Sequence, residues 1–122
     1  MFAELVEENR VGRKKVKLRV KNDLAYFLGA DLEGLAVRAC LVDCSGNMVG
    51  SGKRAVASSW SKNRVIKQWF ELIENVIVDS KVPREKIAGF GIGLPGAVTC
   101  ERLSTRAYLP PGQWVDFDIS GF

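Results

Sequence analysis

The chain has 122 residues, 47% of them hydrophobic and 26% charged, with a formal net charge of +4. That is the length of one domain with an ordinary globular composition, which excludes a disordered or fibrous chain. No apolar run reaches the roughly 18 residues of a membrane-spanning helix, and the acidic start Met1-Phe2-Ala3-Glu4-Leu5-Val6-Glu7-Glu8 is unlike a signal peptide, so a cytoplasmic protein with no membrane partner is expected.

Residues 2–8 read as a short helical remnant, too short to stand alone. The charge that follows is unevenly placed. Residues 1–21 hold seven Lys/Arg (Arg10, Arg13, Lys14, Lys15, Lys17, Arg19, Lys21) and three Glu, whereas residues 22–122 hold eleven of each sign. The stripe is either a phosphate-backbone footprint or a solvated edge, where Lys blocks unwanted strand pairing. Lys15 to Val20 alternates, with Val16, Leu18 and Val20 on one side and Lys15, Lys17 and Arg19 on the other. This predicts a half-buried strand with a cationic outer face.

Asn22-Asp23 signals a turn. Ala25 to Ala30 is a nearly continuous apolar run, as expected of a strand buried on both faces and ending at Asp31. Leu35 to Val42 is a second run, interrupted by Arg38. Asp43-Cys44-Ser45-Gly46-Asn47 is a hairpin turn, and Met48 to Ala57 a third strand weakened by Gly50 and Gly52.

A helix is expected over 61–80, because Val65, Ile66, Trp69, Phe70, Leu72, Ile73, Val76 and Ile77 recur at helical spacing. Ser59 or Ser61 can cap its start, and Pro83 stops it by residue 82. Ile87 to Ile92 is a fourth strand, returned parallel to the sheet by a right-handed crossover. The predicted order is β-β-β-α-β, with Phe27, Leu28, Val37, Leu41, Val49, Ile66, Phe70, Ile73, Ile77, Ile87 and Phe90 in one core. Residues 97–122 are rich in Pro, Gly and Asp, with Trp114 as the main apolar anchor.

Three cysteines cannot complete a disulfide framework. Cys40 and Cys44 on a strand would lie about 13 Å apart, too far to share a zinc ion, so structural thiols and no metal site are expected. The absence of His excludes a Ser-His-Asp triad within this chain. Asp31, followed by Gly34, sits at a hairpin rim. It could hold magnesium through water beside a phosphate, or simply turn the chain. Gly89-Phe90-Gly91-Ile92-Gly93-Leu94-Pro95-Gly96 either walls a ligand pocket or only permits a sharp turn. No helix is expected to follow it, so it is not a dinucleotide fingerprint.

The stretch from Tyr26 to Asp43, centred on Gly29-Ala30-Asp31-Leu32-Glu33-Gly34-Leu35, resembles the opening of the ROK family (repressors, open reading frames and kinases). Ser45-Gly46-Asn47 matches the family's next turn, and Ile87-Ala88-Gly89-Phe90-Gly91-Ile92-Gly93-Leu94-Pro95-Gly96 is similar to its glycine-rich strand and loop. Leu109-Pro110-Pro111-Gly112, Trp114, Asp116 and Asp118 resemble the segment leading to the second lobe of the sugar pocket. Leu5 to Glu8 and Gly12 to Leu18 look like the last helix and wing strands of the winged helix-turn-helix of ROK repressors.

The resemblance implies an α/β fold over 23–122. This would be a ribonuclease-H-like, actin-like ATPase N-terminal lobe with a mixed β-β-β-α-β sheet, truncated before the second lobe. Residues 1–22 would be the remnant of a winged helix-turn-helix. It implies part of a transcriptional repressor that senses a sugar or sugar derivative, acts on operator DNA and forms a homodimer. Asp31, Glu33 and Gly34 would occupy the nucleotide position, Gly93, Leu94, Pro95 and Gly96 the sugar-pocket loop. Arg13, Lys14 and Lys15 would contact DNA phosphates, with Lys17 and Arg19 as lesser candidates.

The chain departs from the family's kinases. Glu33, Gly34 and Leu35 stand where those carry Gly-Gly-Thr, and the kinase general base is absent. Glu33 would set a negative charge beside ATP phosphates, and like charges at about 4 Å repel by roughly 1–4 kcal/mol. No catalytic residue and no cofactor is therefore expected in this chain. The alternatives are a ROK sugar kinase using ATP and magnesium, and a degenerate non-catalytic dimerisation lobe.

Overall fold

The computed structural model describes residues 3–7, 12, 16–99, 104–109 and 112–118. The chain opens with β1 (Ala3–Glu7) and β2 (Val16–Val20), paired antiparallel with Leu5 opposite Leu18 and Glu4 opposite Arg19. The helix expected over 2–8 is thus a strand. A helix of one or two turns lacks enough internal hydrogen bonds to persist, whereas a paired strand draws them from its neighbour. The anchoring expected of β2 is also not found, since Leu18 is 74% exposed and Val20 51%. A two-stranded ribbon by itself buries little.

A four-stranded mixed sheet follows. It is made of β3 (Tyr26–Glu33), β4 (Ala36–Asp43), β5 (Met48–Ala55) and β6 (Ile87–Gly93), in the order β5-β4-β3-β6. β3 and β4 run antiparallel, as do β4 and β5, while β6 lies parallel to β3. This is an α/β arrangement with the predicted β-β-β-α-β order. The β3–β4 hairpin turns through Gly34-Leu35, and Gly34 takes φ +55°, a conformation open to glycine at the first central position of such turns. β3 runs two residues beyond Asp31, so the aspartate lies within the strand and not at its end.

The β4–β5 turn is held by Asp43. Its side chain is buried and accepts from the Ser45 N–H (2.8 Å), the Asn47 N–H (2.9 Å) and Asn47 Nδ2 (2.8 Å). The Asn47 side-chain bond, reinforced by the backbone donors, holds the Asp43 carboxyl below the usual carboxylate range against an opposing desolvation. The 3-10 turn at Asn22–Leu24 docks on the same corner. There Ser45 Oγ lies 2.7 Å from Asn22 Oδ1, and the Cys44 thiol donates to the Ala25 carbonyl at 3.2 Å. Cys40 and Cys44 are free, half-buried thiols.

The helix α1 spans Lys62–Ser80. Ser61 caps it, its hydroxyl accepting from the Arg64 N–H at 3.3 Å, and Lys81 ends it in the left-handed region at φ 57°. Val65, Ile66, Trp69, Leu72, Ile73, Val76 and Ile77 are buried, forming the stripe read from the sequence. They cover Leu28, Ala30 and Leu32 of β3 and Val37, Ala39 and Leu41 of β4. Trp69 Nε1 donates to the Arg38 carbonyl at 3.1 Å. Gly50 and Gly52, expected only to weaken β5, lie directly beneath the helix. A Cβ on Gly52 would come within 2.7 Å of Leu72 Cδ1. After α1, Arg84 forms a two-pronged ion pair with Glu74, and Lys86 Nζ donates to the Asp23 carbonyl at 2.9 Å.

Of the predicted core, Leu28, Val37, Leu41, Ile66, Ile73 and Ile77 are buried, and Phe70 and Ile87 pack at its margin. Phe27, Val49 and Phe90 are exposed instead, at 45%, 38% and 47%. Phe27 points away from Leu28 because strand side chains alternate, and α1 covers one face of the sheet only. β3 is therefore not buried on both faces. Val49 sits at a register shift between β4 and β5. Phe90 shares the helix-side face but belongs to β6, whereas α1 packs over β4 and β5.

The segment read only as Pro-, Gly- and Asp-rich contains a three-stranded antiparallel sheet. It comprises β7 (Ala97–Thr99), β8 (Ser104–Leu109) and β9 (Gly112–Asp118), with Trp114 opposite Ala107. Among the described residues no helix is long and apolar enough to cross a membrane.

Candidate functional site

Two motifs singled out in the sequence, those of Asp31 and Gly93, meet because β3 and β6 are adjacent. Their register places Asp31 opposite Gly93. The approach is close: a Cβ on Gly93 would lie 2.8 Å from Asp31 Oδ1. Glycine at 93 thus leaves the space that the aspartate occupies. Leu94 and Pro95, both half-buried, and Gly96, at φ +93°, continue directly from this point into β7.

The carboxylates at the hairpin tip are not isolated. Arg38 Nη1 lies 2.8 Å from Glu33 Oε2 and 3.5 Å from Asp31 Oδ2. The negative charge expected of Glu33 is therefore shared with a guanidinium one strand away. The two acids and one arginine sum to a single negative charge, about half-exposed to solvent. Gly34 sits at the turn with open space around it.

Arg38 was legible only as an interruption in an apolar run. Its role follows from the hairpin: a two-residue turn at Gly34-Leu35 fixes the register, which sets Arg38 opposite Asp31. Beyond this triad the uncovered sheet face carries a shallow open depression of about 550 Å³. Its floor and walls include Gly29, Cys40, Ser51 and Gly91, with Asp31 and Arg38 at one end and Met48 at the other. Cys40 was weighed only as a zinc ligand with Cys44 and Ser51 not at all, because only the strand register reveals that they share a face with Asp31.

Among the described residues no group of three or more Cys, Asp or Glu side chains is placed to hold a metal ion. Arg13, Lys14 and Lys15 lie outside the described residues. Lys17 and Arg19 are exposed on β2. The arrangement can therefore present a charged hairpin tip and a glycine-lined strand end to one ligand.

No family model matches the chain. It is similar to two curated proteins. It is 26% identical over 109 residues to the "Putative xylose repressor" of Caldicellulosiruptor sp. (strain Rt8B.4), covering 88% of this chain and 27% of that protein. It is also 26% identical over 104 residues to the xylose repressor of Caldicellulosiruptor bescii, covering 85% of this chain and 26% of that protein. The chain thus spans about a quarter of the length of these relatives.

Proposed function

We propose that this chain is part of a ROK-type transcriptional repressor whose operator binding responds to a sugar. The observation that carries the reading is the match to two xylose repressors along more than four-fifths of the chain. In this reading residues 23–122 form the first, ribonuclease-H-like lobe of the sugar-binding module. The loop Gly93-Leu94-Pro95-Gly96 walls the sugar pocket, and a pentose such as xylose is the effector to test first. The β1–β2 ribbon is the wing, with Arg13, Lys14 and Lys15 in the stretch that connects its strands. The protein works as a cytoplasmic homodimer. Sugar binding shifts the population between two arrangements of the paired DNA-binding domains, a coupling of typically about 1–3 kcal/mol.

The hairpin tip favours this reading over the kinase. Asp31 is engaged by Arg38, which also holds Glu33, so neither carboxylate is presented alone to a hydrated magnesium ion. Phosphate contacts from a wing position the protein without reading bases. The test is a Lys14→Ala/Lys15→Ala variant of the full-length protein, titrated with operator and with unrelated DNA at several salt concentrations. Both affinities should fall together, and the salt slope should flatten by about one unit for each phosphate that is no longer neutralised. An unchanged affinity and slope would return the basic stripe to a solvated ribbon.

A further inference from the structure

Only Lys21 to Ala25 separate the β1–β2 ribbon from the mixed sheet. So short a connection is a hinge if its backbone is free and a rigid joint if it is held. Here it is held from two sides. On one side the Cys44 N–H donates to the Asn22 carbonyl at 3.3 Å, the Ser45 hydroxyl to Asn22 Oδ1 at 2.7 Å and the Cys44 thiol to the Ala25 carbonyl at 3.2 Å. These donors belong to the turn that Asp43 fixes. On the other side Lys86 Nζ donates to the Asp23 carbonyl at 2.9 Å and lies 3.5 Å from Asp23 Oδ2. Lys86 closes the 3-10 turn Arg84–Lys86, which Arg84 ties to Glu74 of α1. The two grips differ in kind. The first uses backbone and short side chains, whereas the second hangs on one long, half-exposed lysine. Exposed ion pairs are weak, so the lysine is the grip that can be made and broken.

We propose that the Asn22–Leu24 turn is the joint through which occupancy of the Gly93-Leu94-Pro95-Gly96 loop reaches the ribbon, with Lys86 as the positioning residue that sets it. The inference rests on the repressor reading, in which that loop belongs to the sugar pocket and the ribbon is the wing. β6 supplies the connection. It begins at Ile87, directly after Lys86, and ends at Gly93, where the loop starts. Its partner β3 begins at Tyr26, directly after the joint. The ladder between the two strands is irregular at this end: Tyr26 pairs with Ile87 and Phe27 with Gly89, so the register skips Ala88. Such an irregularity disrupts the ladder locally, and the start of β6 is not locked in step with the rest of the strand. A ligand that shifts β6 therefore moves Lys86 relative to Asp23. The ribbon then turns between two directions, one with the lysine grip made and one with it broken. Sugar and DNA both bias this one two-state element, which is what coupling between separate sites requires.

The test is Lys86→Met in the full-length protein, which keeps an unbranched side chain and removes its donors. Operator affinity is measured with and without xylose, and then with other pentoses and hexoses, alongside amide exchange and thermal unfolding. The effect of the sugar on operator affinity should shrink by about 2–5-fold, the worth of an exposed ion pair. Sugar and operator should each still bind, and the unfolding midpoint should not change. Exchange should quicken at the Leu24 and Cys44 amides, which donate to the Lys21 and Asn22 carbonyls, but not at Leu41 within the sheet. Lys86→Arg, which can still donate to Asp23, should restore the parent response. A parent response in Lys86→Met, or unchanged exchange at Leu24 and Cys44, would overturn the proposal and leave the repressor reading standing. So would a response lost together with the unfolding midpoint and not recovered by Lys86→Arg, since Lys86 would then be merely structural. A parent protein that no sugar affects would sink the repressor reading itself, and the proposal with it.

Discussion

Replacing Gly52 by alanine tests how closely α1 is seated on the sheet. In an open strand the change should stabilise, because glycine gives up about 0.5–1 kcal/mol relative to alanine. At this position the new Cβ would lie 2.7 Å from Leu72 Cδ1 and 3.2 Å from Val76 Cγ2. Ordinary carbon contacts are about 3.5–4.0 Å, so something must move. Val76 is β-branched and stiff within a helix, which leaves it little freedom. Leu72 can leave its rotamer at a cost of about 0.5–1.5 kcal/mol, or the helix can lift and loosen the packing along its buried stripe. Overpacking of this kind costs about 1–3 kcal/mol, so the net expectation is a loss of about 1–2 kcal/mol. Thermal unfolding followed by circular dichroism should show a midpoint lower by about 3–8 °C. In a Leu72→Ala background only the 3.2 Å contact with Val76 remains, and Gly52→Ala should cost clearly less than in the parent chain. An increase in midpoint in the parent chain, or the same loss in both backgrounds, would refute the close seating.

The Asp43 corner should make stability depend on acid. The carboxyl titrates below its ordinary value when folded, so its contribution is present above the unfolded pKa of about 3.9 and is lost as pH falls through the folded value. Urea midpoints measured from neutral pH down to pH of about 2 should therefore decline more steeply for the parent chain than for Asp43→Asn, and parallel curves would count against the account. Leu41, fully buried, should lose about 2–5 kcal/mol on substitution by alanine. Val49→Ala, at an exposed bulge, should stay within about 0.5 kcal/mol, and equal losses at the two sites would mean the covered face is misplaced.

The helix and the four strands of the mixed sheet were legible because their signals are local. Seven of the eight residues in the predicted apolar stripe of α1 are buried, and Ser61 is its cap. What misled was burial that depends on layers. Phe27 and Phe90 read as core on hydrophobicity alone, yet Phe27 lies on the face away from α1, and Phe90 lies on β6, beyond the strands α1 packs against most closely. The strand at β1 was missed because its pairing partner lies beyond any local window. In the candidate site, Asp31 and Gly93 were each legible as motifs. Their contact, and the capture of Asp31 and Glu33 by Arg38, arise from strand register. The three strands after residue 96 gave no clear periodic signal, and Pro110, Pro111 and the glycines obscured them.

The central claim is that a sugar controls how this protein holds DNA. The most direct measurement is an anisotropy titration of the full-length protein with DNA from its own promoter region, repeated with xylose and with a panel of other pentoses and hexoses. The account predicts salt-sensitive, sequence-specific binding that one sugar weakens about 5–150-fold, the range of a typical allosteric coupling. Binding that no sugar alters, or sugar-dependent consumption of ATP by the same preparation, would contradict it.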